Sequence, residues 1–397
     1  MKRILSLTLA ALMLLCLCAC NDQTDAPTTP TGSRPAGPLY AIDSYTASND
    51  AVAAAMDNVF GTVGTQELTV RLLQIAYWTE YSTFVRSYGN YVTTLGLDPN
   101  APLDAQPCKS MGGGTWQQYF LKQALATLHE YFAMEQAAKS KGVSLPEDLA
   151  ADVEDLPNQL KLAAEEEGFA SADALVQARF GPGCTAEDYC EYFRLSIYSY
   201  YYYSKCLDEM VITDQMVQDY FNENTQALAS SGIVKDGVLT YTCRNLLVPL
   251  KDGDWDKCQA DAQALWDNWL AGEKTEEAFA ALATQHSKDQ ENAHQGGLRE
   301  GLMAQSNLDE AVVSWYSDPA RQSGDCQLIK CKDGYEILYF CGAVEYWFFM
   351  CRTAVRNVTS EQIRQDILDA HSLQVDYTRI LLSDMELSVD TGDVPTE

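Results

Sequence analysis

The hydrophobic period of this chain changes near Gly232, so no single repeating motif can account for its fold. Ahead of that point, apolar residues recur at helical spacing. Gln66 to Ser87 carries Leu68, Leu72, Ile75, Trp78 and Phe84 on such a spacing, behind the turn-like Phe60-Gly61-Thr62-Val63-Gly64. A looped stretch with Pro99, Pro102, Pro107 and Gly112-Gly113-Gly114 interrupts. Helix resumes after Thr115, a good N-cap, and runs through Trp116 to Lys141, stopping at Gly142. Leu145-Pro146-Glu147-Asp148 reads as a turn into a further helix, Asp152 to Glu167, which ends at Gly168. Ser171 caps a helix to Phe180, Thr185-Ala186-Glu187-Asp188 opens a long one, and Ile212-Thr213-Asp214 caps another through Tyr220-Phe221.

Beyond Gly232, Leu239 to Val248 (LTYTCRNLLV) alternates and is rich in β-formers, which predicts a strand. Helices follow over Trp255 to Leu270 and Thr275 to Thr284, then a polar glycine-bearing loop and a third helix, Leu308 to Trp315. Cys326 to Cys331 and Tyr335 to Phe340, joined by Lys332-Asp333-Gly334, predict a hairpin. Thr359 to His371 is helical again, and Leu373 to Leu387 alternates like a strand. The fold class is therefore α+β: a mostly helical region, completed by a C-terminal helix and strand, with a small α+β domain inserted.

The extreme N-terminus is of a different kind. Lys2 and Arg3 precede an apolar run, Ile4 to Leu17, of signal-peptide length and short of the roughly 20 residues a spanning helix needs. It ends in Leu17-Cys18-Ala19-Cys20, which resembles a bacterial lipobox with Cys20 as the acylated residue; an ordinary cleaved signal with a chance cysteine is the alternative. Asn21 to Pro38 is rich in Pro, Thr and Gly and nearly free of apolar residues, so it reads as a flexible tether. Tyr346 to Met350 (YWFFM) is far too short to span a bilayer.

Charge excludes one function class. The chain carries 27 basic and 56 acidic residues, a net of −29; losing Lys2 and Arg3 leaves 25 against 56, or −31. Such a surface repels phosphate backbones, so no nucleic-acid partner is expected. Of thirteen cysteines, Cys16, Cys18 and Cys20 belong to the signal. The other ten form no C-x-x-C pair, and several lie in apolar patterns; buried free thiols and a few disulfides both remain open. Four histidines without Cys spacing argue against a zinc site, and no metal or other cofactor is expected.

The run Tyr198-Ser199-Tyr200-Tyr201-Tyr202-Tyr203 wraps every face of its helix. Some rings must be core and others must line a groove or face solvent. Pure packing and an aromatic client-binding surface are the two readings. There is no G-x-S-x-G, no H-E-x-x-H and no phosphate-binding glycine loop, since Gly112-Gly113-Gly114 lacks the lysine.

The inserted domain carries short motifs in a telling order: Arg244-Asn245-Leu246-Leu247-Val248, Phe279-Ala280-Ala281-Leu282-Ala283 and Ser287-Lys288-Asp289. Gly296-Gly297-Leu298, Gly301-Leu302-Met303, Leu308-Asp309-Glu310-Ala311 and Gly334-Tyr335-Glu336-Ile337-Leu338 follow. In this order the domain resembles the parvulin (PpiC-like) peptidyl-prolyl isomerases. With its flanks, including Val211-Ile212-Thr213-Asp214 to Asn222-Glu223-Asn224, the chain is similar to PrsA- and SurA-type extracytoplasmic foldases. The resemblance implies a lipoprotein signal over residues 1–20, a linker over 21–40, a helical foldase region over 41–237, a parvulin-like domain over 238–345 and a C-terminal segment over 346–397 packing on the helical part.

It also implies a lipid-anchored foldase on the outer face of a cell membrane of Gram-positive type, isomerising X–Pro bonds in newly exported or unfolded polypeptides. A homodimer stays open. The family's apolar proline pocket maps to Leu298, Met303 and Leu308, with Leu308 where an aromatic is usual. Its polar floor maps to Asn245, Asp289 and Glu336. Asn245 and Glu336 replace the family's two histidines, and Glu336 brings a second carboxylate toward Asp289, so one of them is expected to hold a proton near neutral pH. His286 and His294 flank the loop and read as solvated residues. A non-catalytic holdase, and more remotely a subunit of an envelope assembly, are the competing readings.

Overall fold

A computed structural model describes residues 35–385. The signal, the Cys20 region and most of the tether lie outside the described residues, as do the last residues of the predicted C-terminal strand. Two compact units emerge: one built from both ends of the chain, up to Glu209 and from Gln362 onward, and one inserted between them, Met210–Glu361.

In the first unit, β1 (Thr46–Ala47) and α1 (Asn49–Ala54) lead to a hairpin of β2 (Val59–Val63) and β3 (Gln66–Thr69). The predicted turn at Phe60–Gly64 is thus a strand, and the first four residues of the predicted Gln66 helix pair with it instead. Only Gly64 and Thr65 are left to turn, with Gly64 at φ +53°. Helix α2 (Val70–Tyr88) then starts where the pairing ends. α3 (Trp116–Ser140) begins with a capping box, Thr115 and Gln118 satisfying each other's backbone N–H groups. α4 (Glu147–Glu166), α5 (Ala172–Phe180) and α6 (Ala186–Asp208) complete the bundle, the last opened by a second capping box, Thr185 with Asp188. Asp188 also accepts from Arg71 at 3.0 Å, which ties α6 to α2. The core is aromatic: Tyr77, Trp78, Tyr81, Phe84, Trp116 and Phe120 meet largely edge to face.

The C-terminus closes this unit. The buried Gln74 side chain donates to the Leu381 carbonyl at 2.7 Å and accepts from the Ser383 N–H at 3.1 Å. Trp78 Nε1 donates to Ser383 Oγ at 2.9 Å. β8 (Leu373–Val375) pairs with β2, and β9 (Leu382–Ser383) pairs in parallel with β1. The predicted continuous strand from Leu373 is therefore two short ones, separated by a 3₁₀ turn over Tyr377–Arg379 that Asp376 caps.

The inserted unit begins with α7 (Asp214–Glu223), capped by Thr213, and α8 (Thr225–Ser230). Its sheet has the order β5-β4-β7-β6, all antiparallel, from β4 (Leu239–Pro249), β5 (Leu298–Leu302), β6 (Cys326–Cys331) and β7 (Gly334–Glu345). One face buries Leu246, Ile337 and Tyr339 against α9 (Trp255–Ala271) and α10 (Glu276–His286), with Trp269 and Phe279 at the centre. The other buries Cys243, Leu338 and Phe340 against α11 (Glu310–Tyr316), through Val312, Trp315 and Tyr316. Strand β5 lies within the stretch expected to be a loop. A five-residue edge strand carrying Arg299 and Gly301 has neither the β-branched run nor the length that marks a strand in sequence. The closing helix α12 (Tyr346–Ala370) starts thirteen residues before the expected Thr359 and continues into the first unit. Its first turns bury Trp347 and Cys351 with Val217, Phe221 and Ile233.

Candidate functional site

Beyond Arg244, β4 is no longer covered by β5, and the loop after α10 takes over its edge. Asn245 N–H donates to the Gly297 carbonyl at 2.8 Å, and Lys288 N–H donates to the Leu247 carbonyl at 3.0 Å. Ser287 Oγ accepts from Leu247 N–H at 3.1 Å and from Asp289 N–H at 3.3 Å. Arg244 pins the far end of the loop through the carbonyls of Gln295 and Gly296, while its Nε donates to Glu276. The backbone donors and acceptors of a buried strand edge need partners; meeting that need delivers Asp289 to the sheet.

On the α11-facing side of the sheet, the alternation that buries Cys243 also points Asn245 inward, and the one that buries Leu338 points Glu336 inward. Asn245 is fully buried and Glu336 nearly so. Asn245 Nδ2 donates to Asp289 Oδ2 at 3.2 Å and reaches Glu336 Oε2 at 3.5 Å. Three residues spread over 91 positions thus converge, although β4, the loop and β7 are separate elements.

A fourth member escaped the sequence reading. Arg299, on β5, donates from Nη1 to Glu336 Oε2 and from Nη2 to Asp289 Oδ2, both at 3.0 Å. All three charged side chains are largely buried, Arg299 at 14% exposure, Asp289 at 10% and Glu336 at 11%. The only sequence signal was an arginine directly after Gly296-Gly297-Leu298, inside the matched loop and next to a residue assigned to the pocket.

The environment drives the two carboxyls apart. Burial alone would raise Asp289, but donors from Asn292, Arg299 and Asn245 outweigh it and hold the group below the usual Asp value. Glu336 is lifted above the usual Glu value, by burial first and by the Asp289 charge in addition, against the pull of Arg299 and Asn245. The expected sharing of a proton by two bare carboxylates is therefore altered: a guanidinium stands between them, and Glu336 is the one that takes up a proton first on acidification.

The three apolar candidates have different neighbours. Leu308 packs into the cluster of Val312, Trp315 and Cys243. Met303 contributes its carbonyl, which accepts from the Tyr316 hydroxyl at 2.8 Å. Leu298 is half-buried at the start of β5, opposite Arg244. His294 is exposed and faces Gln295, and His286 ends α10 half-buried.

The tyrosine run of α6 divides its rings as its helical spacing requires. Tyr202 is buried, the half-buried Tyr198 donates its hydroxyl to the Val143 carbonyl at 2.8 Å, and Tyr200 is 60% exposed. Tyr200 and Tyr201 line an open groove of about 310 Å³ with Leu149, Lys205 and Asp208.

All ten described cysteines are free. Among the described residues no cluster of His, Cys, Asp and Glu is arranged to hold a metal ion, and no helix is long and apolar enough to cross a membrane.

No protein-family model and no curated protein sequence matches the chain. Solved structures of PrsA- and SurA-like foldases do resemble it. PrsA from Bacillus subtilis is 14% identical, covers 72% of this chain and 96% of its own, with a TM-score of 0.30. The PrsA peptidylprolyl isomerase from Bacillus anthracis is 16% identical over 61% of this chain and 94% of its own, with a TM-score of 0.22. A SurA-like chaperone from Campylobacter jejuni is 15% identical over 61% and 89%, also at 0.22.

Proposed function

We propose that this protein is an extracytoplasmic foldase, held to the membrane by lipid on Cys20, whose inserted domain is a parvulin-like insertion that catalyses cis–trans exchange of X–Pro bonds in exported polypeptides. One observation carries the reading: Asn245, Asp289 and Glu336, singled out as a polar floor, lie in one buried hydrogen-bonded cluster at the sheet face against which Leu308 packs.

Prolyl exchange breaks no bond. It turns an amide whose barrier is roughly 18–20 kcal/mol because twisting forfeits resonance. A site lowers that barrier by holding the proline ring apolar and by favouring the twisted amide, whose nitrogen has become a better acceptor and whose carbonyl has lost delocalisation. Asn245 and Arg299 hold N–H groups at this floor, and Asp289 and Glu336 fix their directions. No proton has to move.

A second reading is favoured by the same geometry. Asn245 and Arg299 direct their N–H groups at the two carboxylates, so a domain that only binds clients, without isomerising them, is the alternative. Exchange spectroscopy on X–Pro peptides separates the two. Exchange no faster than in buffer sinks the isomerase, and suppression of client aggregation by the same preparation then favours the holdase. With catalysis present, Asp289→Ala is expected to lower the rate by tenfold or more. Fractionation of Cys20→Ala tests the address: a variant that stays with the membrane is not held there by lipid.

A further inference from the structure

Two carboxylates in one buried site repel each other unless a cation or a proton intervenes. Here the cation is Arg299. Its planar fork gives one nitrogen to Glu336 and the other to Asp289, both at 3.0 Å, while the same two oxygens receive Asn245 Nδ2 at 3.5 and 3.2 Å. A lysine ammonium would be a point charge on this site; only the guanidinium spans two acceptors with fixed geometry. Arg299 is carried by an edge strand that pairs with β4 only up to Arg244, and the glycine pair before it brings the backbone against Asn245. The arginine is therefore placed by the same loop that delivers Asp289.

We propose that Arg299 is the positioning residue of this site: it holds Asp289 and Glu336 as an ionised pair around the Asn245 amide, and so sets where the floor's acceptors stand. What the clamp serves rests on the foldase reading; that the clamp exists does not.

The groups facing Glu336 are Arg299 from β5, Asp289 from the loop, Asn245 from β4 and the Cys331 thiol from β6. The thiol is pushed up to about 12, chiefly by burial, and stays neutral across the range that matters. With Arg299 removed, nothing else among these groups offsets two negative charges. Stability must then fall as both carboxyls ionise, and recover when either is protonated or made neutral.

The test uses the full-length chain in detergent, unfolded by denaturant at a series of pH values between 4 and 8. Five of the seven tryptophans (Trp255, Trp266, Trp269, Trp315 and Trp347) lie in the inserted unit, so their fluorescence reports on it. Arg299→Gln is expected to lose more of its midpoint at pH 8 than at pH 4. Arg299→Gln/Glu336→Gln is expected to recover most of the loss at pH 8, and Arg299→Lys part of it. Should Arg299→Gln not fold at all at neutral pH, recovery of folding in the double variant still supports the clamp. A loss that is the same at every pH, or a double variant no better than the single one, overturns it and leaves Arg299 a packing residue. Peptide exchange measured on the same samples speaks to the foldase reading separately: a wild-type rate equal to buffer removes the isomerase while the midpoints still decide Arg299.

Discussion

A Cβ placed on Gly297 would lie 2.0 Å from the carbonyl oxygen of Asn245, the residue whose N–H already donates to the Gly297 carbonyl at 2.8 Å. The obstructing atom belongs to a central strand, so no side-chain rotation relieves it. Gly297 also sits at φ +72°, in the left-handed region. Gly297→Ala is expected to cost the inserted unit ~1–3 kcal/mol from the backbone conformation alone, and more from the clash. An unchanged tryptophan-fluorescence midpoint would show that the loop does not lie against β4 as described.

Acid should act on the two carboxyls in opposite senses. Asp289 has a folded value below its unfolded one, so its contribution is present above the ordinary Asp range and is lost as pH falls through the depressed folded value. Glu336 has a folded value above its unfolded one, so its contribution is present below the ordinary Glu range and is lost as pH rises through the raised folded value. Asp289→Asn should therefore flatten the low-pH limb of the stability profile, and Glu336→Gln the limb just above the usual Glu range. Identical profiles for wild type and both variants would contradict the assignment.

Gln74 is the latch for the returning C-terminus. Gln74→Leu leaves the Leu381 carbonyl and the Ser383 N–H without that partner, at a cost of about 1–3 kcal/mol. The first unit, followed by thermal unfolding, should melt earlier. A chain ending at His371 should lose more, because it also removes β8 and β9. If the truncated chain melts like the intact one, the tail is not part of that core.

The cysteines should behave as small apolar residues. Burial pushes Cys108, Cys184, Cys243, Cys326, Cys331 and Cys341 up to about 12, so little nucleophilic thiolate forms at neutral pH. A thiol reagent should label the native chain slowly and reach all ten described thiols in non-reducing denaturant. Fewer than ten would mean that some are paired.

The helices were readable because their signals are local. Thr115, Ser171, Thr185 and Thr213 each cap a helix within one turn of its start, and a cap needs only its own neighbours. The hairpin β6–β7 was readable for the same reason, through Lys332-Asp333-Gly334. Gln66–Thr69 misled because Leu68 fits a helical spacing as well as a strand, and its pairing partner Val59–Val63 is glycine-broken. The start of α12 lies thirteen residues ahead of the expected Thr359 because its first turns are apolar on several sides, and only packing against Val217, Phe221 and Ile233 explains that.

Sequence alone thus determined most of the helices and their caps, the strands β4, β6 and β7 of the inserted unit, and the three residue types offered for the floor. Only tertiary structure decided that Arg299 joins them. Its distance along the chain from Glu336, on a strand too short to announce itself, carries no local signal. A pairing of charges depends on where a sheet edge ends and which loop completes it, and that is set by hydrogen bonds between segments, not by the residues on either side.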